Sequence, residues 1–320
     1  MKYLFFDIEC SVVNKQFAKI CAFGYCLTDE NFSILEKEDI LINPQGGFHL
    51  TDRKGTQGLV LPYEYSDFKK YPTFTEKADK IYSLLQDKDT LVAGHATIND
   101  VKYLNLESKR FSLPSFEFSF ADTQFLYMNV VKEFSRQFGL GAIAQELGVE
   151  FTAHRAVDDA YATMKVAEAM CKAENCTLVQ LIEKYQIQLG KISNYEIEPI
   201  SSRAQVKYKQ EQEKRRLEKE KTRAEFHVFA DREKRKRVKE GKLKGKVVCF
   251  SHPLELQLPI AKKLLSKAFS QGAFFTTHAE TCDVYVCFET ENGARLKSAQ
   301  VRKARIFTPE DFETYLDELR

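Results

Sequence analysis

Several features are missing from the sequence, and each absence excludes a class of protein. No apolar run is long enough to cross a membrane, so we expect no membrane partner. The N-terminus has no basic segment followed by an apolar stretch, which argues against a signal peptide. None of the eight cysteines forms a C-x-x-C pair, so a zinc site is not expected. We interpret the cysteines as reduced thiols and predict a cytoplasmic (bacterial-type, nucleoid-associated) or nuclear protein that is not secreted.

Charge is distributed unevenly along the 320 residues. The composition, 43% hydrophobic and 29% charged, is that of a globular protein with room for about two domains. The net charge is only +2, yet residues 201–245 contain 17 Lys/Arg and 8 Asp/Glu, a net of +9 that leaves −7 elsewhere. Because this segment has few apolar residues, it predicts a charged helix or a disordered linker. Its charge favours nucleic-acid anchoring, and the alternative is a solvated spacer.

The chain opens with MKYLFFDIEC, an apolar strand pattern that contains two acids. Side chains at positions i and i+2 of a strand point to the same face, so Asp7 and Glu9 are predicted to lie side by side. Two carboxylates so close repel each other, and a divalent cation such as Mg²⁺, which prefers oxygen ligands, would remove the conflict. The alternative is a strand end at which both acids simply reach water.

Residues 1 to about 190 alternate strand-like and helix-like patterns. Three strand-like runs come first, and helices then alternate with short strands, which predicts an α/β fold with a mixed sheet and helices on its faces. From residue 246 the pattern becomes that of a small βα domain. We therefore predict three parts: a domain at 1–190, a basic charged linker at 191–245 and a second domain at 246–320.

Two later stretches carry acids where the fold alone would not require them. In GHATINDVKYL, Asp100 falls in the first turn of a predicted helix. In HRAVDDAYAT, His154 and Asp159 are five positions apart at the start of another. For a single aspartate, the simpler explanation is that it caps the helix or interacts with the helix dipole.

Taken in order, the D-x-E motif and the two H-x(4)-D motifs resemble the exonuclease domain of the DEDD superfamily. The resemblance is to its histidine branch (DEDDh), as in the epsilon proofreading subunit of bacterial DNA polymerase III. Two further stretches support it: ADTQFLY after the second motif, and FGLGAIAQELGVEF before the third. It covers residues 1 to about 175 and implies a ribonuclease H-like fold, with a mixed sheet and flanking helices.

The resemblance implies a role for each matching residue. Four carboxylates would hold two Mg²⁺ or Mn²⁺ ions and form the catalytic set: Asp7, Glu9, Asp100 and Asp159. Two ions can stabilise charge on both the attacking and the leaving oxygen of a phosphodiester. His154 would be the general base, since a histidine titrates near neutral pH. Asp158 is interpreted as a solvated neighbour or helix cap, and the alternative is that it replaces Asp159.

The sequence also departs from the family pattern. Cys10, followed by Ser11, stands where the family usually has Thr in contact with the terminal nucleotide. In the second motif, usually H-N-x-x-F-D, Ala96 and Asn99 replace the Asn and the Phe. These changes put substrate preference in question more than catalysis. The expected substrate contacts are Ile8, Cys10, Ser11 and His95.

The tail, with GKVVCFS, LPIAKKLLSKAF and CDVYVCFE, resembles a BRCT domain over residues 246–320. Ser251 matches the family's phosphate-contacting Ser/Thr, and Arg295 stands where a Lys is common. The sequence has no tryptophan, and Phe312 takes the place of the usual one. The resemblance implies phosphate binding or docking of a replication or repair protein. The alternative is a protein-docking domain without a phosphate site.

These patterns together predict a metal-dependent 3′→5′ exonuclease that acts on DNA, with an accessory DNA- or protein-binding domain at the C-terminus. BRCT-like domains occur mostly in DNA replication and repair, which favours DNA over RNA. The alternatives are a 3′→5′ exoribonuclease and, from a different class, a catalytically weak adaptor that acts through the tail.

Overall fold

The structure, a computed structural model, describes residues 1–46, 65–149 and 155–319. The chain divides into two compact units, Met1–Lys209 and Gln210–Arg320. Across the described ranges, every helix falls short of the combination of length and apolarity that crossing a bilayer requires.

The first unit begins with three antiparallel strands. Its described residues form nine strands and eight helices, and the last helix continues into the second unit. The strands are β1 (Lys2–Val13), β2 (Ala18–Asp29), β3 (Ile34–Leu41), β4 (Thr90–Gly94), β5 (Phe118–Asp122), β6 (Ile187–Gln188), β7 (Gly190–Ser193), β8 (Glu196–Glu198) and β9 (Ser201–Ser202). The helices are α1 (Tyr65–Phe68), α2 (Phe74–Leu85), α3 (Ile98–Arg110), α4 (Thr123–Val130), α5 (Leu140–Glu146), α6 (Ala156–Glu174), α7 (Leu178–Lys184) and α8 (Arg203–Lys234).

Seven of these strands form one mixed sheet in the order β3-β2-β1-β4-β5-β7-β8. β4 pairs with β1 and β5 in parallel, and the remaining neighbours are antiparallel. Successive residues of β1 point to opposite faces: Tyr3 and Phe5 enter one apolar cluster, and Leu4 and Phe6 enter another. Because both faces are covered, the strand is apolar almost throughout. The predicted α/β class, a mixed sheet with flanking helices, is confirmed.

Helix α6 approaches the sheet most closely at Gly24, in the middle of β2. Gly24 is paired with Asp7 of β1 on one side and with Asp39 of β3 on the other. A Cβ atom at Gly24 would lie only 2.0 Å from the backbone carbon of Ala156, in the first turn of α6. The missing side chain is therefore what allows the start of α6 to lie against the sheet beside Asp7.

The segment predicted as a basic charged linker, 191–245, contains regular secondary structure. It includes β8 and β9, and α8 runs through most of it. The middle of α8 is exposed, as its charge predicts, but Phe226 is fully buried and Ala230 is 5% exposed in the core of the second unit. The last turns of the charged helix therefore carry core residues, which its few apolar positions gave no reason to expect.

The second unit is built on a small parallel sheet. Its strands, β10 (Val247–Phe250), β11 (Phe274–Phe275), β12 (Val284–Val286) and β13 (Arg305–Phe307), lie in the order β11-β10-β12-β13. Its further helices are α9 (His252–Leu256), α10 (Leu258–Ser270), α11 (Ala294–Val301) and α12 (Pro309–Glu318). Phe250 and Phe312 are fully buried in its core. The unit has the predicted βα composition, and its BRCT resemblance stays a prediction.

The close approach at Gly24 can be tested with Gly24→Ala. We expect the methyl group to force α6 and β2 apart and to destabilise the protein by about 2 kcal/mol or more. That corresponds to a decrease in Tm of roughly 4–8 °C, measured by differential scanning calorimetry. Gly139→Ala is the matched control, because no atom of the described residues lies within 4 Å of its added Cβ and its φ of −69° suits alanine. Equal Tm values for the two variants would contradict the steric argument.

Candidate active site

An acidic cluster lies where α6 meets the sheet. Asp7 and Glu9 project from the same face of β1, and Asp159 reaches them from the first turn of α6. Carboxylate oxygens of these three residues all lie within 4.8 Å of one another. Sequence reasoning predicted that these acids would meet, and the structure brings them together.

Asp100, the fourth predicted ligand, adjoins this cluster. It lies in the first turn of α3, is 5% exposed, and its charge raises the pKa of Asp7. Burial, then the charges of Asp122 and Glu9, raise the pKa of Asp100 itself, while a hydrogen bond from the Ile8 backbone N–H opposes that rise. Four carboxylates thus converge from β1, α3 and α6.

The cluster is electrostatically unfavourable without a counterion. Burial first, then the charges of Asp100 and Glu9, hold the pKa of Asp7 well above its usual range. Burial, then Asp159 and Asp39, raise the pKa of Glu9 to about 7. An all-oxygen, all-carboxylate donor set suits a hard divalent cation such as Mg²⁺ or Mn²⁺. The residues present therefore fit the metal that the sequence predicts.

Asp39 is a fifth acid that sequence reasoning missed. It lies in β3 in register with Gly24 and Asp7, so the three positions form one row across the meander. Its charge contributes to the raised pKa of Glu9, and Arg155 Nε donates to its Oδ2 at 3.1 Å. The exposed-strand pattern LEKEDIL gave no signal for this; only the pairing register places Asp39 beside the cluster.

Asp158 and Asp159, adjacent in sequence, have different surroundings. Asp158 faces Lys37 on β3, with 3.7 Å between the lysine Nζ and Oδ1. Lys37 also lies over the ring of Tyr161, 4.3 Å from its centroid. Asp159, in contrast, belongs to the acidic cluster. This arrangement favours the interpretation of Asp158 as a partly exposed neighbour.

His154, the predicted general base, lies outside the described residues, which resume at Arg155. Its role therefore stays a prediction. His95, from the second motif, is described, and both of its ring nitrogens contact protein atoms: Nδ1 lies 3.0 Å from Thr123 Oγ1 and Nε2 lies 3.1 Å from the Phe138 carbonyl. Burial lowers the pKa of His95 to about 4, so the ring is neutral at physiological pH. In this structure His95 connects β4 to α4, and its predicted substrate contact is untested.

The turn that delivers Asp100 is held by Asp122. The Asp122 carboxylate accepts hydrogen bonds from the backbone N–H groups of Ala96 (3.1 Å), Thr97 (3.0 Å) and Phe125 (3.2 Å). Ala96 has a φ of +54°, in the left-handed region that costs alanine about 1–2 kcal/mol. The bonds from Ala96 and Thr97 offset that strain and fix the start of α3, and the bond from Phe125 caps α4.

The other predicted substrate contacts lie around an irregularity in β1. The pairing of β1 with β2 shifts register on both sides of Cys10, which is partly exposed. Ser11 is fully buried and its hydroxyl donates to the Lys19 carbonyl at 3.4 Å, and Ile8 is 5% exposed. Of these three side chains, Cys10 is therefore the most accessible one, beside Glu9.

The predicted phosphate contacts in the second unit already have acidic partners. Ser251 is fully buried, donates to Glu291 Oε1 at 2.6 Å and accepts from the Leu254 N–H at 3.2 Å. Arg295 donates to Glu255 Oε1 at 2.8 Å. A phosphate would have to displace these carboxylates, and phosphate binding stays a prediction.

Comparisons with known proteins add the family. The sequence profile of the exonuclease family, RNase T, matches residues 4–167. This range is more than half of the chain and contains all four acids of the cluster. The chain therefore belongs to the exonuclease family. A search of curated protein sequences finds no match.

Solved structures that resemble this chain are distant in sequence. One is a 3′-exonuclease in a structure of 3′-end recognition of a histone mRNA stem-loop. The two sequences are 14% identical, and the match covers 63% of this chain and 91% of that one, with a TM-score of 0.48. Exonuclease I is 18% identical, with coverages of 57% and 43% and a TM-score of 0.43. The nuclease domain of 3′hExo, a DEDDh family member bound to rAMP, is 17% identical, with coverages of 55% and 92% and a TM-score of 0.44.

The raised pKa of Glu9 predicts how the stability of the metal-free protein depends on pH. A carboxyl with a folded-state pKa of about 7, above the ordinary value of 4.5, keeps its proton in the folded protein while the unfolded chain loses it. Stability in EDTA should therefore fall as pH rises between about 4.5 and 7. Mg²⁺, which binds the ionised form, should raise Tm more at high pH than at low pH.

Two variants distinguish the effect of the acidic cluster on this pH dependence from the effect of another buried acid. Thermal unfolding of each is followed at a series of pH values. Glu9→Gln should flatten the decline in EDTA and reduce the stabilisation by Mg²⁺. Glu107→Gln is the matched control: burial also raises the pKa of Glu107 to about 7, but its partner is Arg110. It should flatten the decline and leave the Mg²⁺ effect intact. A Mg²⁺ effect that is equal in both variants would argue against a metal site at Glu9.

Proposed function

We propose that this protein is a metal-dependent 3′→5′ exonuclease that hydrolyses phosphodiester bonds of DNA. The observation that carries the proposal is the convergence of Asp7, Glu9 and Asp159, with Asp100 adjoining them, in a chain of the exonuclease family. Such a cluster has no structural benefit of its own, since each carboxylate raises the cost of ionising the next. A site that binds cations accounts for that cost.

Asp7, Glu9, Asp100 and Asp159 would hold two Mg²⁺ or Mn²⁺ ions. When bound, the ions supply positive charge for the attacking and leaving oxygens of the phosphodiester. His154 would take the proton from the attacking water, in the manner of the histidine branch of the DEDD superfamily. The hydrogen bond between Arg155 and Asp39 positions the start of α6, from which Asp159 projects. In the chain, His154 precedes Arg155, the N-cap of this helix.

The choice of DNA over RNA rests on the C-terminal part of the chain. The second unit, if it is a BRCT-like domain, would bind DNA or a replication or repair protein. Residues 201–245, with a net charge of +9, would anchor nucleic acid close to an acidic domain that repels it elsewhere. An exoribonuclease and a catalytically weak adaptor are the alternatives, and the cluster of Asp7, Glu9 and Asp159, with Asp100 adjoining it, supports an enzyme.

The activity can be tested with 5′-labelled single-stranded DNA and RNA of the same sequence. We expect the purified protein to shorten DNA progressively from the 3′ end in Mg²⁺ or Mn²⁺ and to be inactive in EDTA. Asp7→Ala and Asp159→Ala should lose at least about a hundredfold in rate, because each removes a ligand from the reacting centre. Asp158→Ala, which alters the neighbouring acid that faces Lys37, is the matched control and should stay active.

Three outcomes would change the conclusion. Faster trimming of RNA than of DNA would establish the exoribonuclease, and inactivity on both would support the adaptor. Loss of activity in Asp158→Ala with retention in Asp159→Ala would reverse the assignment of the two aspartates.

The proposed general base makes a separate prediction. His154→Ala should reduce kcat by a factor of roughly 10² to 10⁴, while Mg²⁺ should still raise its Tm because the carboxylates remain. The wild-type rate should rise with pH through the titration of a histidine, and this rise should disappear in the variant. His95→Ala is a comparison of a different kind, since it should lower Tm by removing contacts to Thr123 and Phe138. A wild-type pH–rate profile in His154→Ala would exclude this histidine from the mechanism.

A further inference from the structure

The positive charge around α8 is concentrated in the short loop that follows it. Helix α8 contains eleven Lys/Arg and seven Asp/Glu, a net of +4 over its 32 residues. Residues 235–246, the basic loop, lie between α8 and β10 and contain seven Lys/Arg and one Glu, a net of +6 over 12 residues. The loop therefore carries one net charge for every two residues, against one for every eight in the helix.

The basic loop is folded against the second unit. The Val238 N–H donates to the Phe269 carbonyl at 3.2 Å, and the Leu243 N–H donates to the Gln271 carbonyl at 2.8 Å. Leu243 is 2% exposed and belongs to the core of the unit. Because these contacts hold the loop at the end of α10, its charges occupy a defined surface.

Carboxylates neutralise only two of the loop's cations. Lys244 forms an ion pair with Glu240 at 2.7 Å, and Lys236 pairs with Glu233 of α8 at 3.0 Å. Like charges held so close repel one another, and a bound polyanion would offset that repulsion. In the parts of the chain that the structure describes, the loop's other cations form no ion pair with a carboxylate: Arg235, Arg237, Lys239, Lys242 and Lys246.

Arg237 is held beside the edge strand β11. Its Nη1 donates to the Gly272 carbonyl at 2.9 Å, and its guanidinium lies 4.0 Å from the centroid of the Phe274 ring, which is 40% exposed. A planar guanidinium that is already positioned loses little side-chain freedom when it binds a phosphate. Unpaired bases also stack on aromatic rings and on guanidinium planes. An exposed Arg–Phe pair among so many cations therefore favours nucleic acid over other polyanions.

We infer that the basic loop binds the phosphate backbone of the nucleic-acid substrate, on a surface separate from the acidic cluster. Arg235, Lys239 and Lys242, all exposed, contact the phosphates, and Arg237 adds a positioned charge beside Phe274. The inference rests on the proposed function, because it takes the bound polyanion to be the substrate. It narrows the anchoring role of residues 201–245 to the loop and assigns that role to named side chains.

Binding can be measured without catalysis, by fluorescence anisotropy of labelled oligothymidylate with the full-length protein in EDTA. Arg235→Ala/Lys239→Ala/Lys242→Ala should make the slope of log K against log salt shallower by about 2, because each single-strand phosphate contact contributes about 0.7. The same loss of contacts should raise Kd about a hundredfold in about 0.1 M salt. The Tm of this loop variant should hold or rise, since fewer like charges repel one another.

Arg302→Ala/Lys297→Ala/Lys303→Ala is the matched control, because it removes one arginine and two lysines from the same unit. All three side chains are exposed, and none forms an ion pair within the described ranges. They lie in α11 and just after it, ahead of β13, at the other edge of the sheet from β11. This control should keep Kd to within about twofold and leave the salt slope unchanged. Equal Kd and slope for the loop and control variants would overturn the inference.

Two other polyanions test the class of partner. Polyglutamate of matched charge represents an acidic protein, and phosphatidylserine vesicles represent an anionic membrane surface. We expect both to bind the wild-type protein more weakly than oligothymidylate does. Tighter binding of either one, lost in the loop variant, would assign the loop to that partner and contradict the inference.

Hydrolysis of the same oligonucleotide in Mg²⁺ is a separate measurement. The loop variant should raise KM and keep kcat, because the carboxylates of the acidic cluster remain. A protein that binds through the loop but does not hydrolyse would refute the proposed function and keep the surface. A protein that hydrolyses while the loop variant changes neither Kd nor KM would keep the function and refute the surface.

Discussion

The packing of the first unit brings together carboxylates that repel one another. Asp7 and Glu9 share one face of a strand that is otherwise core, and α6 closes over that face with Asp159 in its first turn. The helix can come this close because Gly24 has no side chain. The fold thus uses apolar burial, which it gains along β1 and β2, to hold together charges that separate in any looser arrangement.

The sequence predicted the parts of the site that local geometry determines. The period of a strand places Asp7 beside Glu9, and the helical pattern after Arg155 places Asp159 in a first turn. It could not predict Asp39, whose proximity depends on the register of β2 with β3. Gly24 carried a usable signal, because an isolated glycine within an apolar strand indicates a close approach of another backbone.

In the second unit, too, contacts between residues distant in sequence could not be predicted. Ser251 was predicted as a phosphate contact from the BRCT resemblance, but Glu291, which accepts the hydrogen bond from its hydroxyl, lies 40 residues further along the chain. Glu255, fully buried, is bound by Arg295 and also by Arg223 of α8 at 2.9 Å. Together with Phe226, that contact makes the end of the charged helix part of the unit's core. The charge density of this segment predicted either a helix or a disordered linker and gave no signal for this attachment.

Asp122 and Asp7 lie near the end of the parallel strands, and their surroundings separate a structural role from a chemical one. Burial raises the pKa of Asp122 to about 6. Its carboxylate accepts hydrogen bonds from three backbone N–H groups, and these oppose that rise. These backbone N–H groups therefore satisfy its carboxylate. Asp7 is surrounded by other carboxylates, and every neighbouring charge that acts on its pKa raises it further. Backbone amides can satisfy an isolated carboxylate, whereas a group of carboxylates that share one face suits a cation. The partners of each acid therefore distinguish the residue that positions the site from the residues that we propose as metal ligands.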